Sequence, residues 1–108
     1  MKTNKYGMPL DRNGYAPSII EGDGTRCFSC ASRSEKLDRH EVFGGAYRTK
    51  SKNLGLWVSL CHIKCHLDGI HRFQNQSLTL KKYAQQIAMM RYEWTEDDFR
   101  REFGRSYL

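Results

Sequence analysis

No stretch of this sequence stays apolar for the roughly 20 residues that a membrane span needs. Met1 to Tyr15 has no apolar run of the signal-peptide kind. A membrane partner is therefore not expected, and the expected compartment is the cytoplasm. Internal repeats and low-complexity tracts are also missing, which leaves one small domain as the expectation for 108 residues. Acidic residues are the scarcer sign of charge, 12 Asp+Glu against 18 Lys+Arg, and the net charge of +6 favours a polyanionic partner, nucleic acid first. Hydrophobic residues make up only 39% of the chain, so its core is thin. Domains of this size often need a staple such as a metal or disulfides.

Four cysteines are present, in two spaced pairs, Cys27-x2-Cys30 and Cys61-x3-Cys65. A reducing cytosol keeps thiols from pairing, so such a pattern points to metal; in a secreted chain it would point to two disulfides. The first pair lets two thiolates converge from a tight turn. The second places two thiols one helical turn apart. The four together predict one structural zinc ion. The x3 spacing leaves open that His62 or His66 replaces one cysteine.

Residues 1–22 read as an extended arm, with a turn at Asp11-Arg12-Asn13-Gly14 and Tyr15, Ile19 and Ile20 as contacts to the domain. Residues 23–75 read as the zinc-binding core. Strands are predicted over 37–43 and 54–60, joined by a basic polar loop over 46–53, with a short helix carrying Cys61 to His66. Knuckle, hairpin and cysteine-bearing helix make a treble clef. Residues 76–108 read as a helical extension packed on that core. One helix is predicted from about Leu78 to Trp94, with Leu80, Tyr83, Ala84, Ile87 and Trp94 facing the core. A last helix starts at a Thr95/Asp98 capping box and ends at Gly104. His62 is expected to be exposed. The fold class is thus α+β.

All four histidines, His40, His62, His66 and His71, fall on the hairpin or just after it. Imidazoles and a carboxylate in one cleft suit a divalent metal beside a phosphodiester. Arg39-His-Glu-Val-Phe-Gly-Gly45, Gly55-Leu-Trp-Val-Ser-Leu-Cys61, Cys65-His66 and Gly69-Ile-His71 resemble the HNH (ββα-metal, treble-clef) endonuclease superfamily. An Asn-Gly-Tyr-Ala-Pro-Ser arm at 13–18 and a closing Phe-Gly-x-x-Tyr-Leu at 103–108 narrow the resemblance to small phage and prophage HNH-like proteins. A phage origin would place the protein in the host cytoplasm.

The resemblance implies a metal-dependent DNA endonuclease. A strand-one base would activate water, and a divalent metal (Mg²⁺, Mn²⁺ or Zn²⁺) held by His40, His66 and His71 would stabilise the developing charge. The catalytic set it implies is His40, Glu41 and Asn53. Two registers are open. In one, His40 is the base and Arg39 takes the usual metal-ligand position, for which a cation is a poor choice. In the other, His40 binds metal and Glu41 is the base, which requires burial to raise its pKa. Arg39, Arg48, Lys50 and Lys52 flank the expected cleft, followed by Lys64 and Arg72, as DNA-phosphate contacts. Two other functions remain: a non-catalytic treble clef that binds DNA, and a zinc module for protein interaction.

Overall fold

The computed structural model describes residues 2–21, 26–28, 36–62 and 74–108. Two strands, β1 (Leu37–Glu41) and β2 (Trp57–Cys61), pair antiparallel, with Leu37 opposite Cys61, Arg39 opposite Ser59, His40 opposite Val58 and Glu41 opposite Trp57. Successive strand residues point to opposite faces. Arg39 and Glu41 therefore share a face with Trp57, Ser59 and Cys61, while Asp38 and His40 share the other with Val58 and Leu60. Val58 to Cys61 are all buried, which is why β2 reads as an unbroken apolar run rather than an alternating one.

The β1 strand ends two residues before the predicted Phe43, and β2 starts three residues after the predicted Leu54 and runs through Cys61. Val42 N still donates to Leu56 O at 3.0 Å, but the neighbouring groups turn to a side chain. Ser51 Oγ accepts from Phe43 N at 3.2 Å and donates to Leu56 O at 2.6 Å, drawing the chain off the ladder. The connection is not the polar loop expected at 46–53. A 3-10 turn, Gly45–Tyr47, leads into a short helix, α1 (Arg48–Asn53). Ser51 is the buried residue of α1, so the helix is held by that hydroxyl and not by an apolar stripe.

Two further helices complete a small α+β architecture, α2 (Gln74–Tyr92) and α3 (Glu96–Phe103). The α2 helix begins four residues before the predicted start. Its buried stripe is Leu80, Ala84, Ala88 and Tyr92, spaced by four as one helix face requires. Tyr83, expected in the core, is 47% exposed, and Trp94 lies past the helix end, 5.2 Å from Tyr92 between ring centroids. The α3 helix has the predicted capping box, with Asp98 N donating to Thr95 Oγ1 and Thr95 N donating to Asp98 Oδ2. It ends as predicted on Gly104 in the left-handed region, φ 82°.

One buried cluster joins these pieces: Leu54, Leu56, Val58 and Leu60 from the hairpin, Ala84, Ala88 and Tyr92 from α2, and Phe99 and Phe103 from α3. The Phe43 and Phe103 rings pack tilted, 4.7 Å between centroids. The closing tail is fixed by the fully buried Gln85, whose Nε2 donates to Ser106 Oγ at 2.9 Å and whose Oε1 accepts from Tyr107 N at 2.7 Å. Tyr107 then packs 5.6 Å from Phe43.

The arm follows the body closely. Its predicted turn closes with Gly14 N donating to Asp11 O at 3.0 Å. Ala16 N and Ile19 N donate to Lys52 O and Gly55 O, each at 2.9 Å, and Ala16 is buried. Gly55 is indispensable to that approach: its φ is 73°, and a Cβ there would meet Pro17 O at 2.3 Å. Among the described residues no helix is long and apolar enough to cross a membrane.

Candidate active site

The outer edge of β2 is the base of the expected zinc site. Because Arg39 and Ser59 face each other without exchanging ladder bonds, the main-chain groups of Ser59 point away from β1. Glu21 accepts from Ser59 N at 3.0 and 3.1 Å and from Ser59 Oγ at 2.9 Å, while Phe28 N donates to Ser59 O at 2.7 Å. This ties the Cys27-Phe28 segment to β2 two residues before Cys61. Both thiols lie in the buried cluster, Cys27 at 2% exposure and Cys61 at 6%. One cysteine of each predicted pair is thus buried where the Cys27-Phe28 segment joins β2. Cys30 and Cys65 lie outside the described residues, and among those described no three His, Cys, Asp or Glu side chains form a metal-binding group.

His40 sits at the middle of the hairpin, 7% exposed, on the face it shares with Asp38. His62 is not the freely exposed side chain expected. Its N donates to Lys36 O at 3.2 Å, extending the hairpin by one pair, and its Nδ1 lies 2.5 Å from Asp38 Oδ2 with the imidazole 37% exposed. Its ring meets Asp38, which lies on the face of the hairpin opposite to that of Cys61. His66 and His71 lie outside the described residues, as do Lys64 and Arg72.

The opposite face gathers Arg39, Glu41 and the arm. Tyr15 Oη donates to Glu41 Oε1, and Arg48 Nε donates to the same oxygen at 3.2 Å. Burial raises the Glu41 pKa, but the hydrogen bonds from Tyr15 and Arg48 outweigh it and hold the carboxyl below its ordinary value. That is the reverse of the shift a base at this position requires. Burial and the adjoining carboxylate push the Tyr15 phenol up to about 12, so it remains a donor. His40 and Glu41, adjacent in sequence, stand on opposite faces and do not share a cleft.

The other expected residues are spread around α1. Lys50 Nζ donates to Glu102 O at 2.9 Å and lies 3.3 Å from the Glu102 carboxylate. Asn53 is the last residue of α1, and its main-chain oxygen accepts from the buried Asn4 Nδ2 at 2.8 Å. Arg39 donates to Asp11 Oδ2 at 2.7 Å. Its guanidinium carbon lies over two rings, 4.4 Å from the Tyr15 centroid and 5.0 Å from that of Trp57. Lys52 Nζ lies 4.9 Å from the Tyr15 ring. Reading the sequence element by element missed Asp11, Glu21 and Trp57 as partners of the site. The signal available was the Asn-Gly-Tyr-Ala-Pro-Ser segment itself, whose tyrosine reaches Glu41. No protein-family model, no curated protein and no solved structure matches the chain.

Proposed function

We propose that this chain is a metal-dependent DNA endonuclease of the HNH type, hydrolysing phosphodiester bonds from a zinc-clamped ββα core. The observation that carries the reading is His40: a buried imidazole at the centre of a hairpin strand, with Cys27 and Cys61 buried at one edge of the partner strand. In this reading Cys27, Cys30, Cys61 and Cys65 hold zinc, which contributes folding free energy directly. His40, His66 and His71 hold the catalytic ion, which when bound supplies electrostatic stabilisation of the charge developing on phosphate.

The chain's own residues do the rest. His40 takes the strand-one role of holding metal or taking a proton in this reading; Glu41 is committed to Tyr15 and Arg48, and Asp38 to His62. Glu41 anchors the arm. Asp38 fixes the His62 ring through Nδ1 at the mouth of the same face. Arg39, Arg48, Lys50 and Lys52 supply cations on the arm side for phosphate contact.

Supercoiled plasmid incubated with the purified protein and Mg²⁺ or Mn²⁺ should be nicked, and His40→Ala should lose nicking while melting like the parent. The lowered pKa of Glu41, which makes it a poor base, favours one rival, a treble clef that binds DNA without cutting it. DNA binding with no nicking under either ion selects that rival and rejects the enzyme.

A further inference from the structure

A shallow groove of about 620 Å³ runs between the arm and β1, lined by Asn13, Tyr15, Leu37, Asp38, Arg39 and Lys52. The Tyr15 ring carries two cations, the Arg39 guanidinium and the Lys52 ammonium. Of the five N–H donors that a guanidinium offers, Arg39 gives one to Asp11. Lys52 Nζ meets no carboxylate among the described residues. Asp38 is engaged by His62.

Asp11 is held rigidly. Its Oδ1 accepts from Asn13 N at 2.9 Å and Tyr15 N at 3.0 Å, leaving Oδ2 aimed at Arg39. The pair adds little stability, since the two side chains are 42% and 38% exposed. What it does is place an anionic oxygen 2.7 Å from a guanidinium nitrogen, with the guanidinium carbon lying over the Tyr15 and Trp57 rings. That is the geometry in which arginine takes a phosphate oxygen.

We propose that this groove binds one backbone phosphate of duplex DNA between Arg39 and Lys52, and that Asp11 occupies Arg39 until the phosphate displaces it. The inference rests on the DNA-hydrolysing reading above. It adds a phosphate position on the face opposite His40 and a built-in competitor for it.

Fluorescence anisotropy of the full chain with a labelled duplex, without divalent metal and over a salt series, tests this. Arg39→Gln and Lys52→Gln should each weaken binding roughly 5-fold, and the double variant should lower the slope of log K against log salt by about 1, the value of a single phosphate contact. Asp11→Asn, which keeps the turn's side-chain oxygen, should tighten binding about 3-fold by removing the competing charge. A slope unchanged in the double variant, a fall of about 2, or weaker binding by Asp11→Asn overturns the proposal. If Arg39→Gln melts early, Arg39→Lys and Lys52→Gln carry the same comparison. Loss of plasmid nicking with the expected slopes would reject the nuclease and leave the groove. Intact nicking with unchanged slopes would reject the groove alone.

Discussion

Glu41→Gln separates an anchor from a catalytic base. The Glu41 side chain is 10% exposed and receives hydrogen bonds from Tyr15 and Arg48. A hydrogen bond to a charged group contributes about 1.5–3 kcal/mol, and the neutral amide keeps an acceptor for the phenol, so about 1 kcal/mol of this is lost. Arg48 is 63% exposed, and its ion pair adds roughly 0.5 kcal/mol. The expected cost is therefore about 1.5 kcal/mol, a fall of roughly 6 °C in melting temperature for a chain of this size. Tyr15→Phe should cost a similar amount, and the double variant should show a coupling of about 1 kcal/mol.

The pH dependence has a definite sign. The folded-state pKa of Glu41 is lowered, so the unfolded chain binds this proton more readily. The stabilisation is present above the ordinary carboxylate value of 4.5 and is lost as pH falls through the lower folded value. Thermal melts followed by circular dichroism should show the gap between parent and Glu41→Gln at neutral pH and its closure in acid. Plasmid nicking by the variant should persist wherever it remains folded. Melting within about 1 °C of the parent would refute the anchor. Unchanged melting with lost nicking would return Glu41 to the role of base.

Gly55→Ala should destabilise by more than about 2 kcal/mol in urea unfolding, because a Cβ would meet Pro17 O at 2.3 Å in a left-handed conformation. Gln85→Ala should cost about 2–3 kcal/mol in the same measurement, since it strands the Tyr107 N–H and opens a cavity in the core. Cys27→Ser should abolish tightly bound zinc by elemental analysis and unfold the chain; a folded variant of unchanged metal content would exclude the clamp.

What could be read from the sequence was what local chemistry decides. Thr95 with Asp98, Gly104, and the Asp11 to Gly14 turn each satisfy main-chain groups within a few residues, so pattern and structure agree. The α1 helix was hidden because tertiary contacts to Ser51, and not an apolar period, hold it. The α2 stripe was misplaced at Tyr83 because Ala84 and Ala88 weigh little in a hydrophobic pattern, while their small size lets the helix approach the core. In the candidate site, spacing singles out Cys27 and Cys61 and the family resemblance singles out His40; that all three are buried is added by the structure. The Tyr15 to Glu41 bond does not, because it spans 26 residues and depends on the arm's path along the hairpin.

That path has an optical consequence. The chain contains two tryptophans, and each gives its indole N–H to the arm: Trp57 Nε1 to Ala16 O at 2.8 Å and Trp94 Nε1 to Tyr6 Oη at 2.9 Å. The two rings sit at opposite ends of the same segment, so intrinsic emission is a native reporter of its attachment. A spectral shift confined to Trp57, isolated by Trp94→Phe, would mark release beside the groove. One confined to Trp94 would mark fraying of the first turn, with no label added to the protein.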